Sequence, residues 1–178
     1  LQWIDLGKTK PYWSVLSHDK FVNPSSGDIK TFYELGVVEF QFVINVLRRL
    51  DITLADYSTC LEYGCGLGRV TQAMSRHFSH TYGYDISNEH IELARNQLSK
   101  NETNNISFKL ISELKELDSL PKVDFFYSQL VLQHNPPSLI LYILEKLFKS
   151  LNKNGIGYFQ VPTYLSNYSF HHEFHKST

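Results

Sequence analysis

The spacing of apolar residues changes near residue 58. Before that point apolar side chains recur at intervals of three and four, which is the spacing of one face of a helix. The clearest such face holds five positions: Phe40, Val43, Ile44, Leu47 and Leu50. This pattern predicts that residues 1–57 are mainly helical and form a cap that precedes the rest of the fold.

From Ser58 onward, short apolar runs alternate with amphipathic stretches. The runs that predict strands are 58–63, 80–84, 106–111, 123–127 and 157–162. The stretches with helical spacing are 70–78, 89–100 and 138–151. Such alternation is typical of βαβ units, which build a parallel sheet with helices on both faces. We therefore expect a doubly wound, mostly parallel α/β domain over residues 58–162.

The last predicted helix has its own start and stop signals. Asn135 precedes two prolines and can cap a helix whose first turn tolerates proline, while Asn154 and Gly155 supply a turn that would end it. Its expected buried stripe is Ile140, Ile143, Leu144, Leu147 and Leu151.

Composition excludes several classes of protein. The 178 residues suit one domain, and 42% hydrophobic with 20% charged residues is ordinary globular usage. The net charge is −1, and no basic run is longer than Arg48–Arg49, which argues against nucleic acid as a partner. The sequence has no long apolar run and residues 1–10 do not resemble a signal peptide, so we expect a cytoplasmic chain without a membrane partner. Cys60 and Cys65 fit no metal-binding or redox spacing, and we expect reduced thiols.

Candidate chemistry centres on the stretch LEYGCGLGRVT, residues 61–71. It joins the first predicted strand to the next helix, and ligands of parallel sheets lie beyond the carboxyl ends of the strands. Gly64 and Gly66 allow a bulky polar ligand to contact the backbone, and Gly68 allows the helix to pack closely on the sheet. A tight turn with nothing bound is the alternative interpretation.

Two acidic residues sharpen this hypothesis. Glu62 precedes the first glycine by two positions, where a carboxylate would repel a pyrophosphate but suits an ammonium group. Asp85 lies 21 positions after Gly64, at the end of the second predicted strand, where it can accept hydrogen bonds from ribose hydroxyls, cap the next helix, or do both. An adenosine joined to an amino acid describes S-adenosylmethionine. A nicotinamide-dependent oxidoreductase is the rival, although Arg69 replaces the small residue of the dinucleotide fingerprint.

Four segments, in order, resemble class I S-adenosylmethionine-dependent methyltransferases: LEYGCGLGR, YGYDIS, VDFFYSQLVLQHNP and LNKNGIGYFQVP. The resemblance covers about residues 58–162 and implies a Rossmann-like sheet that binds S-adenosylmethionine and leaves S-adenosylhomocysteine. It implies that Glu62 contacts the amino end of the cofactor, that Ile86 packs on adenine and that Gln129 borders the methionine part. The cofactor residues that it implies are Glu62, Gly64, Cys65, Gly66, Gly68, Arg69, Asp85, Ile86, Ser112, Glu113 and Gln129.

The sequence departs from this family at two places. Many members have an acid directly after the third strand, where this chain has Ser112 with Glu113 beside it. The family core also continues with an antiparallel strand pair, for which residues 163–178 leave little room, so we expect that pair to be missing. Within this last segment His171 and His175 have a spacing that can hold zinc, but a solvated segment is the simpler interpretation and no metal is expected.

The acceptor is the least defined part. His134, just past the fourth strand, is a candidate general base and equally a structural hydrogen-bonding residue. Neutral charge favours a small-molecule acceptor, and a non-catalytic cofactor-binding module that needs a partner is the alternative. Aromatic residues of the cap, Tyr12, Trp13, Phe32 and Tyr33, either cover the cofactor or belong to the core. In the stretch 32–36 we expect the Tyr33 hydroxyl and the close approach allowed by Gly36 to serve ligand contact.

Overall fold

The computed structural model describes residues 2–99 and 103–162. Three helices come first: α1 (Gln2–Thr9), α2 (Pro11–Val15) and α3 (Ser26–Arg48). Five strands follow: β1 (Thr59–Tyr63), β2 (His80–Asp85), β3 (Ile106–Leu110), β4 (Val123–Ser128) and β5 (Leu151–Phe159). The helices between them are α4 (Arg69–Met74), α5 (Asn88–Leu98) and α6 (Pro137–Ser150).

The five strands form one sheet in the order β3-β2-β1-β4-β5, and all neighbouring pairs are parallel. Tyr63 of β1 lies opposite Tyr84 of β2, and Glu62 lies opposite Tyr127 of β4. The order reverses between β1 and β4, so the loops that follow these two strands form the edge where doubly wound sheets bind ligands. The predicted α/β fold with a helical N-terminal region is confirmed.

Helix α3 anchors the N-terminal region on one face of the sheet. It begins with a capping box, because Ser25 Oγ accepts from the Asp28 amide at 3.2 Å and Asp28 Oδ2 accepts from the Ser25 amide at 2.9 Å. Its buried stripe packs on residues of β1 and β4 such as Cys60 and Phe125; the stripe consists of Phe40, Val43, Ile44 and Leu47. Leu50, predicted for the same face, is 64% exposed. That prediction is wrong because the helix ends at Arg48 and the chain turns at Asp51, which has a positive φ of 57°.

Helix α6 covers the opposite face of the sheet. Ile143 and Leu147 are fully buried against Leu61 and Phe126, while the rest of the expected stripe is half-buried. Proline stands in the first turn as predicted. Asn135 does not cap the helix, because its side-chain amide donates to the Val131 carbonyl at 3.2 Å and closes the preceding turn.

Two element boundaries differ from prediction. β5 begins at Leu151, directly after α6, and includes the Asn154–Gly155 turn that was expected to end the helix. Asn154 has a φ of +64°, and the pairing between β4 and β5 shifts there, so the turn is a bulge inside the strand. Helix α4 ends at Met74, before the predicted end at residue 78, because separate turns follow it.

In the described part of the chain, no helix is both long and apolar enough to cross a membrane. Residues 163–178 lie outside the described residues, and with them the expected lack of an antiparallel strand pair and the His171–His175 spacing.

Candidate functional site

The loop between β1 and α4 depends on its three glycines. Gly64, Gly66 and Gly68 all have positive φ angles, of 77°, 50° and 74°. A Cβ atom would also overlap Val131 at Gly64 and the Phe108 ring at Gly68. Each position therefore needs glycine both for its backbone conformation and for the space around it. Gly68 permits the close packing of α4 against the sheet that the sequence predicted.

Asp85 ties the end of β2 to this loop. Its Oδ2 accepts from the Gly66 amide at 2.7 Å, and its Oδ1 accepts from the Ser87 amide at 2.8 Å. The N-cap of α5 is Ser87, whose hydroxyl accepts from the His90 amide. A carboxylate has about four acceptor positions, so one on each oxygen is left for a ligand hydroxyl. The residue is 9% exposed, and the two amides hold its carboxylate in place as an acceptor.

A cleft of about 400 Å³ opens beside Asp85. It is lined by Ile86, Asn88, Glu89, Leu110, Ile111, Ser112, Glu113 and Leu114. The structure brings together here Ile86, which the resemblance assigned to adenine, and Ser112 and Glu113, which it counted among the cofactor residues. Ile86 is 43% exposed, so an apolar surface is available to a flat ring. The apolar wall and polar rim of this cleft fit an adenine base.

Glu62 is 5% exposed and lies on the face of β1 that α4 covers. The Thr71 hydroxyl donates to its Oε2. Burial raises the pKa of Glu62 to about 8, because the hydrogen bond from Thr71 and the Arg69 charge offset only part of the desolvation. A cation that reaches this carboxyl would favour its ionised form.

A partly buried polar network joins Arg69, which lies near Glu62, to α3. Arg69 donates to Glu39 Oε2 at 2.6 Å, and the Tyr127 hydroxyl donates to Glu39 Oε1 at 2.5 Å. Gln129 Oε1 lies 2.7 Å from the same hydroxyl. Burial and the neighbouring Glu39 carboxylate raise the pKa of Tyr127. Gln129, predicted to border the methionine part, is thereby linked to the N-terminal region.

Glu39 and Tyr127 are site residues that the sequence pattern did not predict. Tyr127 stands in the apolar run of β4, where nothing in the pattern sets it apart from its neighbours. Glu39 stands next to the core residue Phe40 on α3, and a charge at the margin of an apolar stripe was the one available signal.

The N-terminal helices lie directly on the glycine loop. Val15 of α2 packs on Gly66, because a Cβ atom there would lie 2.8 Å from Val15 Cγ2. The Tyr33 hydroxyl donates to the Leu67 carbonyl at 3.3 Å. Gly36 does not serve ligand contact as expected, since a Cβ atom there would overlap the backbone of Arg69 and the glycine lets α3 approach α4. Helices α2 and α3 thus lie over the glycine loop, and we call the residues up to the end of α3 the N-terminal cover.

Three predicted site residues, Arg69, Cys65 and His134, do not line the cleft beside Asp85. The Arg69 guanidinium pairs with Glu39 and lies 5.8 Å from the Phe32 ring centre, so its side chain is held by α3. Cys65 is buried, which raises the pKa of its thiol well above the ordinary value and suits an inert filler. His134 is exposed in the turn after β4, on the same edge of the sheet as the glycine loop.

The fold and the site together indicate a class of protein. A parallel sheet of this order, a glycine loop after β1 and a fixed carboxylate at the end of β2 are the features of a domain that binds an adenosine-containing cofactor. The chain belongs to the family described as "Methyltransferase domain", whose model matches residues 60–155, more than half of the chain. Its fold is that of the class I S-adenosylmethionine-dependent methyltransferases, and S-adenosylmethionine is the cofactor of this class. The family match favours this class over a nicotinamide-dependent oxidoreductase.

Individual relatives agree with the family. Ribosomal protein L11 methyltransferase of Lactobacillus gasseri is 29% identical over 124 residues, which cover 66% of this chain and 37% of that protein. The chain thus spans little more than a third of the length of the curated relatives that it matches.

Solved structures give the same result. PKMT2 from Rickettsia typhi, in complex with AdoHcy, is 30% identical with a TM-score of 0.52 over 59% of this chain and 20% of that chain. Magnesium protoporphyrin IX methyltransferase from Synechocystis, solved with bound SAH, has a TM-score of 0.57 at 20% identity over 79% of this chain and 62% of that chain. The second likeness supports the fold alone.

Proposed function

We propose that this chain binds S-adenosylmethionine along the carboxyl ends of β1 and β2 and transfers its methyl group to a small molecule. The observation that carries the proposal is Asp85, which is fixed by two backbone amides and retains acceptor positions beside a cleft of about 400 Å³. Asp85 would hold the ribose hydroxyls, and Ile86, Ser112 and Glu113 would surround the adenine.

The methionine end of the cofactor would lie toward the glycine loop. Glu62 would receive the ammonium group, since an ion pair offsets the desolvation that now raises the pKa of this carboxyl to about 8. The backbone of Gly64, Cys65 and Gly66 would line the cofactor, and Gln129 would border it. Gly68 and Arg69 would act indirectly, by fixing the start of α4 behind the loop.

S-adenosylmethionine supplies a methyl group that its sulfonium already activates. The residues of this chain therefore have to hold, orient and shield the reacting groups. The helices of residues 1–57 would exclude water, and residues 58–162 would form the cofactor-binding core. His134 would be the general base for a hydroxyl acceptor, because it lies on the same edge of the sheet as the glycine loop.

A small-molecule acceptor is supported by the net charge of −1 and by the lack of a basic run longer than two residues. A protein acceptor is the second candidate, because the Lactobacillus relative is named for methylating a ribosomal protein and reaches 29% identity.

Methyl-tritiated S-adenosylmethionine separates the two candidates. The purified chain is incubated with the label and either the low-mass fraction or the protein fraction of an extract of its source cells. We expect labelled product in the low-mass fraction, and much less of it with Asp85→Ala at a sub-saturating concentration of the label. The matched control is Asp56→Ala, an exposed carboxylate in the turn before β1, at the other end of the sheet, which should retain transfer. Label found only in acid-precipitated protein would establish the second candidate instead.

A further inference from the structure

A buried chain of three polar side chains connects α2 to the end of β2. Ser14 Oγ lies 2.9 Å from His90 Nε2, and His90 Nδ1 lies 3.9 Å from Asp85 Oδ1. Ser14 is 7% exposed and His90 3%. No sequence motif pointed to this contact, which joins residues 76 positions apart.

The hydrogen positions follow from the partners. The Ser14 hydroxyl donates its one hydrogen to the Pro11 carbonyl at 2.7 Å. The hydrogen between Ser14 and His90 therefore belongs to His90 Nε2, which donates to the serine oxygen. The other ring nitrogen faces the Asp85 carboxylate. His90 thus contacts the N-terminal region with one nitrogen and the candidate ribose acceptor with the other.

Both ends of this chain of contacts meet at Gly66. Asp85 accepts from the Gly66 amide, and Val15, the neighbour of Ser14, packs on Gly66. The contacts form a closed ring through Gly66, Asp85, His90, Ser14 and Val15. A shift of α2 would therefore disturb both the Asp85 carboxylate and the glycine loop.

Helix α1 encloses the ring from a third side. A Cβ atom on Gly7 would lie 2.5 Å from Ser87 Oγ and 3.5 Å from His90 Nε2, so glycine allows α1 to pack here. Next to Gly7 along α1, Lys8 pairs with Glu89 of α5 at 3.7 Å, which also holds α1 against α5. Asp85 Oδ1 lies 3.9 Å from the imidazole, and the carboxylate is held there by the Gly66 and Ser87 amides.

We propose that His90 is a positioning residue that couples closure of the N-terminal helices to the carboxylate that holds the cofactor ribose. The inference rests on the proposed function, because it takes Asp85 as the ribose acceptor. In this proposal His90 does not contact the cofactor; it bonds Ser14 of α2 and packs beside Asp85, whose carboxylate the Gly66 and Ser87 amides hold. A cofactor that binds Asp85 therefore also stabilises the closed position of α2.

The test measures S-adenosylhomocysteine affinity by calorimetry in a set of matched variants. His90→Ala and Ser14→Ala should each weaken binding at least fivefold. The double variant should bind about as weakly as either single one, because both substitutions remove the same link. His90→Gln, which keeps a donor near Ser14, should recover part of the affinity. The control is His80→Ala, since His80 bonds Ser107 at the amino end of β2 and should not affect binding.

Fluorescence reports the position of α2 directly. The chain has two tryptophans, and in a Trp3→Phe background Trp13, next to Ser14, is the one that remains. We expect S-adenosylhomocysteine to shift Trp13 emission to the blue, and His90→Ala to shift it to the red without ligand. Nitrogen NMR of the His90 ring in the unmodified protein should show a protonated Nε2 and a shift at Nδ1 on ligand addition, a result that needs no variant to fold.

Several outcomes would overturn the inference. No coupling exists if His90→Ala binds S-adenosylhomocysteine with wild-type affinity. The same conclusion follows if the losses of the two single variants multiply in the double variant, or if the Nδ1 signal does not change when the ligand is added. Tighter binding by His90→Ala would show that α2 competes with the cofactor. These results leave the proposed function intact if the wild-type chain binds, whereas a wild-type chain that binds no S-adenosylhomocysteine would overturn the proposed function and this inference together.

Discussion

At Glu62, burial favours the protonated carboxyl, whereas the positive charge of a bound ammonium group would favour the ionised form. Burial raises its pKa to about 8, so at neutral pH the unliganded carboxyl is mostly protonated. An ion pair with the cofactor ammonium requires the ionised form, and binding below pH 8 must therefore release a proton. Stabilising the ionised form lowers the pKa in the complex, which makes the affinity rise with pH.

We predict that S-adenosylhomocysteine affinity falls by about tenfold per pH unit from pH 8 down to pH 6. Calorimetry in two buffers of different ionisation enthalpy measures both the affinity and the released proton. Glu62→Gln keeps an acceptor for Thr71 and cannot ionise, so its affinity should be lower at pH 8 and nearly flat with pH. The same slope in wild type and Glu62→Gln would exclude Glu62 as the ammonium partner.

At the scale of elements, the glycine loop is built from constraints that act together. Gly66 has a φ of +50°, donates to Asp85 and leaves just enough room for Val15. A side chain there is strained by the backbone conformation and by the contact with α2.

We predict that Gly66→Ala lowers the free energy of unfolding by about 1–3 kcal/mol and weakens cofactor binding. Adding Val15→Ala should recover the part due to the contact but leave the backbone strain. The matched control is Gly27→Ala in the exposed first turn of α3, where the nearest atom to a new Cβ is Ser25 Oγ at 3.7 Å and alanine favours the helix. Urea denaturation measures all four proteins. An unchanged midpoint for Gly66→Ala would contradict this account of the loop.

The same elements show how far the sequence predicts the structure. Strands β1 to β4 were predicted within one residue at each end because apolar runs bounded by polar turns are local signals. The start of β5 was predicted six residues late, since its bulge at Asn154 depends on pairing with β4. The exposure of Leu50 was not predicted, because the spacing of apolar residues does not show where α3 ends.

At the scale of the whole molecule, the site residues form two groups. One group is placed by the ends of strands, and the other by contacts between residues far apart in the sequence. Asp85, Ile86 and Ser112 follow strand ends, and their position along the chain predicts the edge at which they meet. Glu39, Tyr127 and His90 enter through contacts with residues 30 to 88 positions away. Such contacts depend on how α2 and α3 pack on the sheet, which apolar spacing alone does not specify.

The N-terminal cover has a natural point of division before Ser25, which caps α3. Removing residues 1–24 keeps α3 and its core contacts but removes Ser14 and Val15. We predict a chain that still folds by circular dichroism, melts at a lower temperature because Phe32 and Leu67 lose their cover, and binds S-adenosylhomocysteine at least tenfold more weakly. Undiminished affinity would assign this region to the acceptor or to contacts between chains.

The central claim is that Asp85 holds the ribose of S-adenosylmethionine, and calorimetric titration of the full chain with S-adenosylhomocysteine tests it most directly. We predict saturable binding by the wild-type protein, a loss of about 1–3 kcal/mol in Asp85→Ala, and a smaller loss in Asp85→Asn, which keeps one acceptor oxygen for a loop amide. Asp56→Ala should bind as wild type does. Equal affinity of wild type and Asp85→Ala, with both folded, would contradict the account.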